Sequence, residues 1–262
     1  MELPRTKSLA SRLRVLESAG STNDVLADLV ARGDEPALST VLTLDQTAGR
    51  GRLGRVWTAP PHKTLAVSVL VRAARPAEFP FGWVPLLAGA AMSTSIDALV
   101  GGGRTGLKWP NDVQVDGLKV CGILAELAPS ADAVIVGTGV NLVLERNELP
   151  VPTATSLLLA GVTERSDELV DLVVSRYLAT FIELLDRLLA AGTDAVESGV
   201  HRVVSEWCRT IGREVLVSLP GDRDLYGTAT GIDATGRLLV RDGRTGDTHA
   251  VAAGDVTHLR YE

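Results

Sequence analysis

Apolar residues follow two rhythms along this chain, and the texture changes near residue 210. Upstream, runs of strand length alternate with helical patterns. TVLTLDQ (40–46) and TLAVSVLVR (64–72) are rich in β-branched residues and predict strands. WVPLLAGAAMSTSIDAL (83–99) is apolar on most sides and predicts a buried helix. Residues 105–127 predict a strand, a turn over Trp109–Asp112, a short strand, a tight turn at Asp116-Gly117 and a longer strand. AVIVGTGVNLVL (133–144) predicts one more strand, interrupted by glycines. From Asp167 to Leu189, apolar positions such as Val170, Val174, Tyr177, Phe181 and Leu188 recur at helical spacing. Val196, Val200, Val203, Val204 and Trp207 continue that period in a second helix, which Gly212 is placed to terminate.

Downstream, EVLVSL, DLYGTATGID, GRLLVRD, DTHAVAA and DVTHLR give five short strand candidates separated by Gly and Asp turns. That is the size and rhythm of a small SH3-like barrel. The pattern predicts an α/β (α+β) chain with one unit over 1–210 and a barrel over 211–262. It contains no internal repeat.

Composition narrows the function. With 262 residues, 45% of them hydrophobic and 22% charged, the chain has the apolar mass for one sizeable core and a small second one. A net charge of −6 argues against general attraction to nucleic acid or anionic membrane, so a bound anion must be met by a local cationic cluster. The first residues contain no unbroken apolar segment, and no window of about 18 apolar residues occurs. A cytoplasmic location is therefore expected. Cys121 and Cys208 lie far apart and fit reduced core thiols, and four scattered histidines give no zinc spacing, so no metal ligand is assigned.

Four stretches carry candidate chemistry. In GSTNDVLADLVARG (20–33), Ser21 stands three residues before Asp24 at the start of a helical pattern that ends at Gly33. That spacing fits a capping box, and a helix start also offers unpaired N–H groups to a polar ligand. GRGRLGR (49–55) alternates arginine with glycine, which suits a backbone that wraps an anion and guanidinium forks that bind carboxylate or phosphate. An exposed flexible loop or a nucleic-acid contact fits the same residues. KWPND (108–112) reads as a type I turn, but a turn does not explain Lys108 at the end of an apolar strand. Lys119 opens the apolar VCGILAE, where an ammonium without an anionic partner is costly, and a ligand anion answers for both lysines. Gln46, by itself, is a strand terminus.

Together GSTN (20–23), QTAGRGRLGRVW (46–57), GLKWPNDV (106–113), GLKVCGILAE (117–126) and GTGVNL (137–142) resemble the biotin protein ligases in order and spacing, over nearly the whole chain. The resemblance implies a class II synthetase-like biotin–lipoate ligase domain with a mixed, mainly antiparallel sheet, followed by the SH3-like barrel. It also implies a two-step reaction. Biotin and ATP give biotinyl-5′-AMP and pyrophosphate, with magnesium expected, and the biotinyl group then passes to a lysine of a biotin carboxyl carrier domain of acyl-CoA carboxylase.

By motif, Ser21, Thr22, Asn23, Gln46, Gly49, Arg50, Gly51, Arg52 and Lys119 are expected at biotin. Arg50, Arg52, Trp57, Lys108, Trp109, Asn111 and Asn141 are expected at ATP, with either tryptophan alternatively core. Lys119, Arg52 and Lys108 are the expected catalytic residues, and Arg55 is a weaker candidate. Residues 49–56 are expected to order on ligand binding, and the barrel to help close the ATP site and dock the carrier. About 20 residues precede GSTN, fewer than a helix-turn-helix domain needs, so neither repressor activity nor nucleic-acid binding is expected. No membrane partner is expected, and the oligomeric state, a homodimer included, stays open.

Cys121 replaces the alanine usual within K-x-x-GIL, where inert core packing is the first expectation. It also gives a foothold to a lipoate or octanoate transferase of the same fold, as a thiol nucleophile. A nucleic-acid module using the Arg/Gly loop and a non-catalytic biotin sensor are the readings from other classes.

Overall fold

The structure, a computed structural model, describes residues 1–262 except 34, 73–79, 129–131, 165–166, 220–222, 253–254 and 259–262. In chain order it forms α1 (Pro4–Leu9), β1 (Leu13–Leu16), α2 (Thr22–Ala31), β2 (Thr40–Thr43), the short β3 (Gly49–Arg50) and β4 (Val56–Trp57), β5 (Thr64–Arg72), α3 (Val84–Val100) and β6 (Thr105–Lys108). Then follow β7 (Asp112–Val115), β8 (Leu118–Leu127), β9 (Ala133–Asn141), α4 (Asp167–Ala190), α5 (Val200–Trp207), β10 (Glu214–Leu219), β11 (Arg223–Ile232), β12 (Leu238–Asp242), β13 (Thr248–Val251) and β14 (Asp255–His258). The far ends of the last two predicted strands, 253 and 259–260, lie outside the described residues.

Seven strands make the main sheet in the order β1-β2-β5-β9-β8-β7-β6. β1 and β2 run parallel and every other neighbouring pair is antiparallel, so the expected mixed, mainly antiparallel sheet is what forms. The period-2 rule explains its two faces. On β5, Leu65, Val67, Val69 and Val71 join the core cluster that also contains the buried faces of α3 and α4. Each fully buried side chain of this kind contributes about 1.5–3 kcal/mol. Ala66, Ser68 and Leu70 alternate onto the other face, where Leu70 packs with Leu26 and Val30 of α2, Val41 and Ile135. Beyond α2 that face carries small residues, and the space they leave is the cleft described below.

The C-terminal strands form a five-stranded antiparallel sheet, β13-β12-β11-β10-β14. Its apolar residues, including Val215, Val217, Ile232, Leu238 and Val240, are continuous with the main core. Three ring N–H groups of the larger unit pin the turn after β11. Trp83 Nε1 donates to Ala234 O at 2.9 Å, Trp109 Nε1 to Gly236 O at 3.1 Å, and His201 Nε2 lies 2.7 Å from Ile232 O.

Two helix boundaries differ from expectation. α5 begins at Val200, after Gly199 in a left-handed conformation, and Val196 is exposed. The helix also ends at Trp207, before Gly212, because Cys208 bridges to Leu107 and Arg209 N–H donates to Leu107 O. Pairing with β6 draws the backbone out of the helix before the glycine is reached.

Candidate active site

A cleft of about 390 Å³ opens on the small-residue face of the sheet. Its floor is built from Ala66, Gly139 and Gly122, adjacent across β5, β9 and β8, with Gly137 in the next row. These glycines answer to their neighbours. A Cβ on Gly137 would lie 2.5 Å from Asn23 Oδ1, and one on Gly139 would lie 2.9 Å from the Trp57 ring. Asn23 and Trp57 can therefore lie down on the sheet only because β9 presents no side chain there.

One end of the cleft is neutral and polar. Ala19 N–H and Thr47 N–H extend the parallel β1/β2 pairing past its end, and this brings Gln46 beside Ser21 and Thr22. Gln46 Oε1 accepts from Thr22 N–H at 2.8 Å and lies 3.2 Å from Thr22 Oγ1. The capping box expected from Ser21 and Asp24 does not form: Ser21 makes no capping bond, and Gln46 from another segment takes the helix N–H. Ser68 Oγ lies 2.6 Å from Asn23 Oδ1, to which it donates, and 2.7 Å from Thr22 Oγ1. Asn23 Nδ2 donates to Glu126 Oε2 at 2.6 Å. Thr22, Asn23 and Ser68 are all buried, so this network is a fixed feature of the cleft wall.

The other end is cationic. Arg52, Arg55, Lys108 and Lys119 all line it. Arg52 Nη1 donates to Asn111 Oδ1 at 3.1 Å, and Asn111 Nδ2 donates to Ile123 O at 2.9 Å. The peptide bond between Trp109 and Pro110 is cis. Lys119 is less starved of an anion than its apolar strand suggests. Its side chain is 42% exposed, and Nζ lies 2.6 Å from Asp112 Oδ1. Gly122 makes room for it, since a Cβ there would meet Lys119 Nζ at 3.1 Å. Val256 and Thr257 of β14 complete this end.

Most of the residues singled out from sequence therefore come together: Ser21, Thr22, Asn23, Gln46, Arg50, Gly51, Arg52, Trp57, Lys108, Trp109, Asn111 and Lys119 line one cleft. Two expected contacts do not. Gly49 lies behind the wall, where a Cβ would collide with Gln46 Nε2 and Trp57 O at 2.5 Å, so its role is to let those groups meet. Asn141 is buried, with Nδ2 donating to Thr155 O at 2.8 Å. Thr155 N–H donates to Lys119 O, so Asn141 braces the segment that holds the lysine backbone. Trp109 lines the cleft but is 2% exposed and tied by its Nε1 to the C-terminal sheet. Arg50 is engaged by carboxylates, its two terminal nitrogens facing Asp24 and Glu126.

Ala66, Ser68, Gly122, Gly137 and Gly139 were missed. The signal for them is the alternation of small residues with valines in TLAVSVLVR and VGTGVN, which marks a strand face left bare on purpose. Val256 and Thr257 have no local signal.

The biotin/lipoate A/B protein ligase family matches residues 15–141, and the biotin protein ligase C-terminal domain matches 210–259. A biotin--[acetyl-CoA-carboxylase] ligase of Mycobacterium tuberculosis is 38% identical over 252 residues, which are 95% of this chain and 90% of that protein. The chain belongs to the biotin/lipoate A/B protein ligase family. The bifunctional ligase/repressor BirA of Escherichia coli is 30% identical over 86% of this chain and 68% of its own length. Among solved structures, the biotin protein ligase of Aquifex aeolicus in complex with biotin and ATP superposes with a TM-score of 0.74. It has 25% identity, over 96% of this chain and all of the other.

Within this ligase family member, burial disposes of one option for Cys121. The thiol is 1% exposed in the main core, and burial pushes its pKa up to about 12. A thiol so held carries almost no thiolate at neutral pH and is a poor nucleophile. Among the described residues no helix is long and apolar enough to cross a membrane, and no group of three His, Cys, Asp or Glu could hold a metal ion.

Proposed function

We propose that this chain is an ATP-dependent biotin protein ligase. In the first step a biotin carboxylate oxygen bonds to the α-phosphorus of ATP and pyrophosphate leaves. In the second, a carrier lysine amine bonds to the acyl carbon, AMP leaves and the amine loses a proton. The observation that carries the reading is the polarity of the cleft, neutral hydrogen-bonding groups at one end and four cations at the other. Biotin has the matching polarity, a ureido ring at one end and a carboxylate at the other.

Ser21, Thr22, Asn23 and Gln46 are assigned to the ureido ring, whose buried N–H and C=O groups need partners, with Ser68 holding Thr22 and Asn23 from behind. Trp57 forms the apolar wall. Lys119 is assigned to the biotin carboxylate and the mixed anhydride, and Arg52, Lys108 and Asn111 to the phosphates. Two anions repel, and fixed cations in a partly dry cleft are the means to bring them into line. Magnesium would travel on the ATP phosphates with its waters. Asp112, the one carboxylate among the described lining residues, is the group that could reach its hydration shell. ATP and a carboxylase carrier as substrates make the cytoplasm the expected site of action.

A lipoate or octanoate ligase is the nearest alternative. A dithiolane or alkyl end has no hydrogen-bonding groups to match the polar wall of Ser21, Thr22, Asn23 and Gln46, and the buried Cys121 supplies no nucleophile. A nucleic-acid module is disfavoured by the net charge of −6 and by the carboxylates that occupy Arg50. Pyrophosphate exchange into ATP separates these readings. Exchange is expected with biotin, and exchange with lipoate or octanoate but not biotin would overturn the assignment; a biotin sensor would bind biotin without exchange.

A further inference from the structure

Arg50 is the first arginine of GRGRLGR and carries the best-defined ion cluster of the cleft mouth. Nη1 and Nη2 meet the two oxygens of Asp24 at 2.6 and 2.7 Å, an end-on fork, and Nη2 also lies 3.2–3.3 Å from both oxygens of Glu126. Glu126 in turn accepts from Asn23 Nδ2. One cation facing two carboxylates leaves this spot negative, which opposes the approach of a ligand anion. The three charges belong to three elements, β3, the first turn of α2 and β8, so the cluster ties the hairpin to the sheet and the helix. The hairpin tip is exposed, with Leu53 and Val56 at 76% and 77%, and Arg52 donating to Asn111 is its second polar tie.

We propose that Arg50 is a positioning residue, latching the β3–β4 hairpin to Asp24 and Glu126, and that it does not contact the biotin carboxylate or the phosphates. The latch holds Arg52 and Trp57 over the cleft and fixes Glu126, which keeps the Asn23 amide turned with Nδ2 outward and Oδ1 toward Ser68. The Arg50 guanidinium holds the Asp24 carboxyl below the usual carboxylate range, which agrees with a pair that stays ionised. The proposal rests on the biotin ligase reading only for its ligand. The latch itself exists without one.

The test turns on sign. If Arg50 bound a ligand anion, neutralising its carboxylate partners would release it and strengthen binding; if it is a latch, the same change weakens binding. Asp24→Asn is the cleaner variant, since Asp24 is exposed on α2 and the Asn23 amide is held by Glu126 and Ser68 instead. Glu126→Gln and Arg50→Gln complete the set, with unchanged melting as the control for folding. Amide exchange over 49–57 in the free protein is expected to speed up in all three. Biotin affinity by calorimetry is expected to fall about five- to tenfold in each, and Arg50→Gln added to Asp24→Asn/Glu126→Gln should cost at most about twofold more, as members of one network are non-additive. Adenylation kcat at saturating biotin should change less than KM. Unchanged or tighter biotin binding in the carboxylate variants, with weaker binding in Arg50→Gln, overturns the latch. So does unchanged hairpin exchange in all three. If the wild type binds no biotin, the ligase reading fails while the exchange data still decide the latch.

Discussion

The two ends of the cleft are built on different principles. The ureido end is assembled from groups on α2, β5 and the segment after β2 that satisfy one another at 2.6–2.8 Å, over a floor in which each glycine is matched to the side chain above it. The phosphate end is assembled from partly exposed cations on a hairpin and two strands, with Lys119 paired to Asp112 and Arg52 held by Asn111. Hydrogen bonds between buried neutral groups are insensitive to salt and fix geometry before the ligand arrives. Ion pairs near solvent are weaker, screened and adjustable. The contrast suits a site that must recognise a small neutral ring rigidly and then bring together two mobile anions.

The strongest way to break this division is at the charged end. Lys119→Ala or Arg52→Ala should lower adenylation by about 10²–10³ if these cations stabilise charge in the transition state, with biotin affinity reduced far less. Pyrophosphate exchange and calorimetry on the same variants check this, and Arg55→Ala should cost much less. Gly137→Ala attacks the other end. Its methyl would lie 2.5 Å from Asn23 Oδ1, an overpacking that costs about 1–3 kcal/mol, so biotin KM should rise at least about tenfold while kcat changes less.

Smaller effects sharpen the comparison. In 1 M salt, where the Debye length is about 3 Å, amide exchange over 49–57 should accelerate while that of α2 does not. The pH dependence has a definite sign. Asp24 has a lowered folded pKa, so its contribution is present above about pH 4 and is lost as pH falls through the folded value. Hairpin protection should therefore survive to below pH 4 and then fail. Cys121 works in the opposite window. Its thiol ionises near 8.5 when unfolded and near 12 when folded, so stability is full below about pH 8.5 and declines as pH rises toward 12. Cys121→Ala should remove that part of the alkaline decline, leave biotin transfer unchanged and cost a little stability through lost packing. Denaturant melts between pH 8 and 11 and a transfer assay would measure both.

Much of this was legible in the chain. The strand runs 64–72, 105–108, 112–115 and 118–127 and the helix from Asp167 appear where period and turn residues put them, the long ones because their pattern is strong and the two short ones because a Trp-Pro-Asn-Asp turn and an Asp-Gly turn bound them. The α5 boundary was not legible, since a strand partner a hundred residues away outcompetes local helical propensity there. The same holds within the site. Lys119 looked like a cation in need of an anion because its neighbours in sequence are apolar, and Asp112 became visible as its partner only when β7 folded back on β8.

The sequence alone determined the alternating small and large positions that make one sheet face a core and the other a cleft, and the chemical types grouped at that cleft. Both are local consequences of residue identity and backbone period. Tertiary structure decided which of those groups face a ligand and which face each other. Arg50 and Arg52 are two residues apart in one motif, yet one meets Asp24 and Glu126 and the other Asn111. Spacing along a chain does not specify the long-range partners that a charge or an amide will find once distant strands are brought within hydrogen-bonding distance.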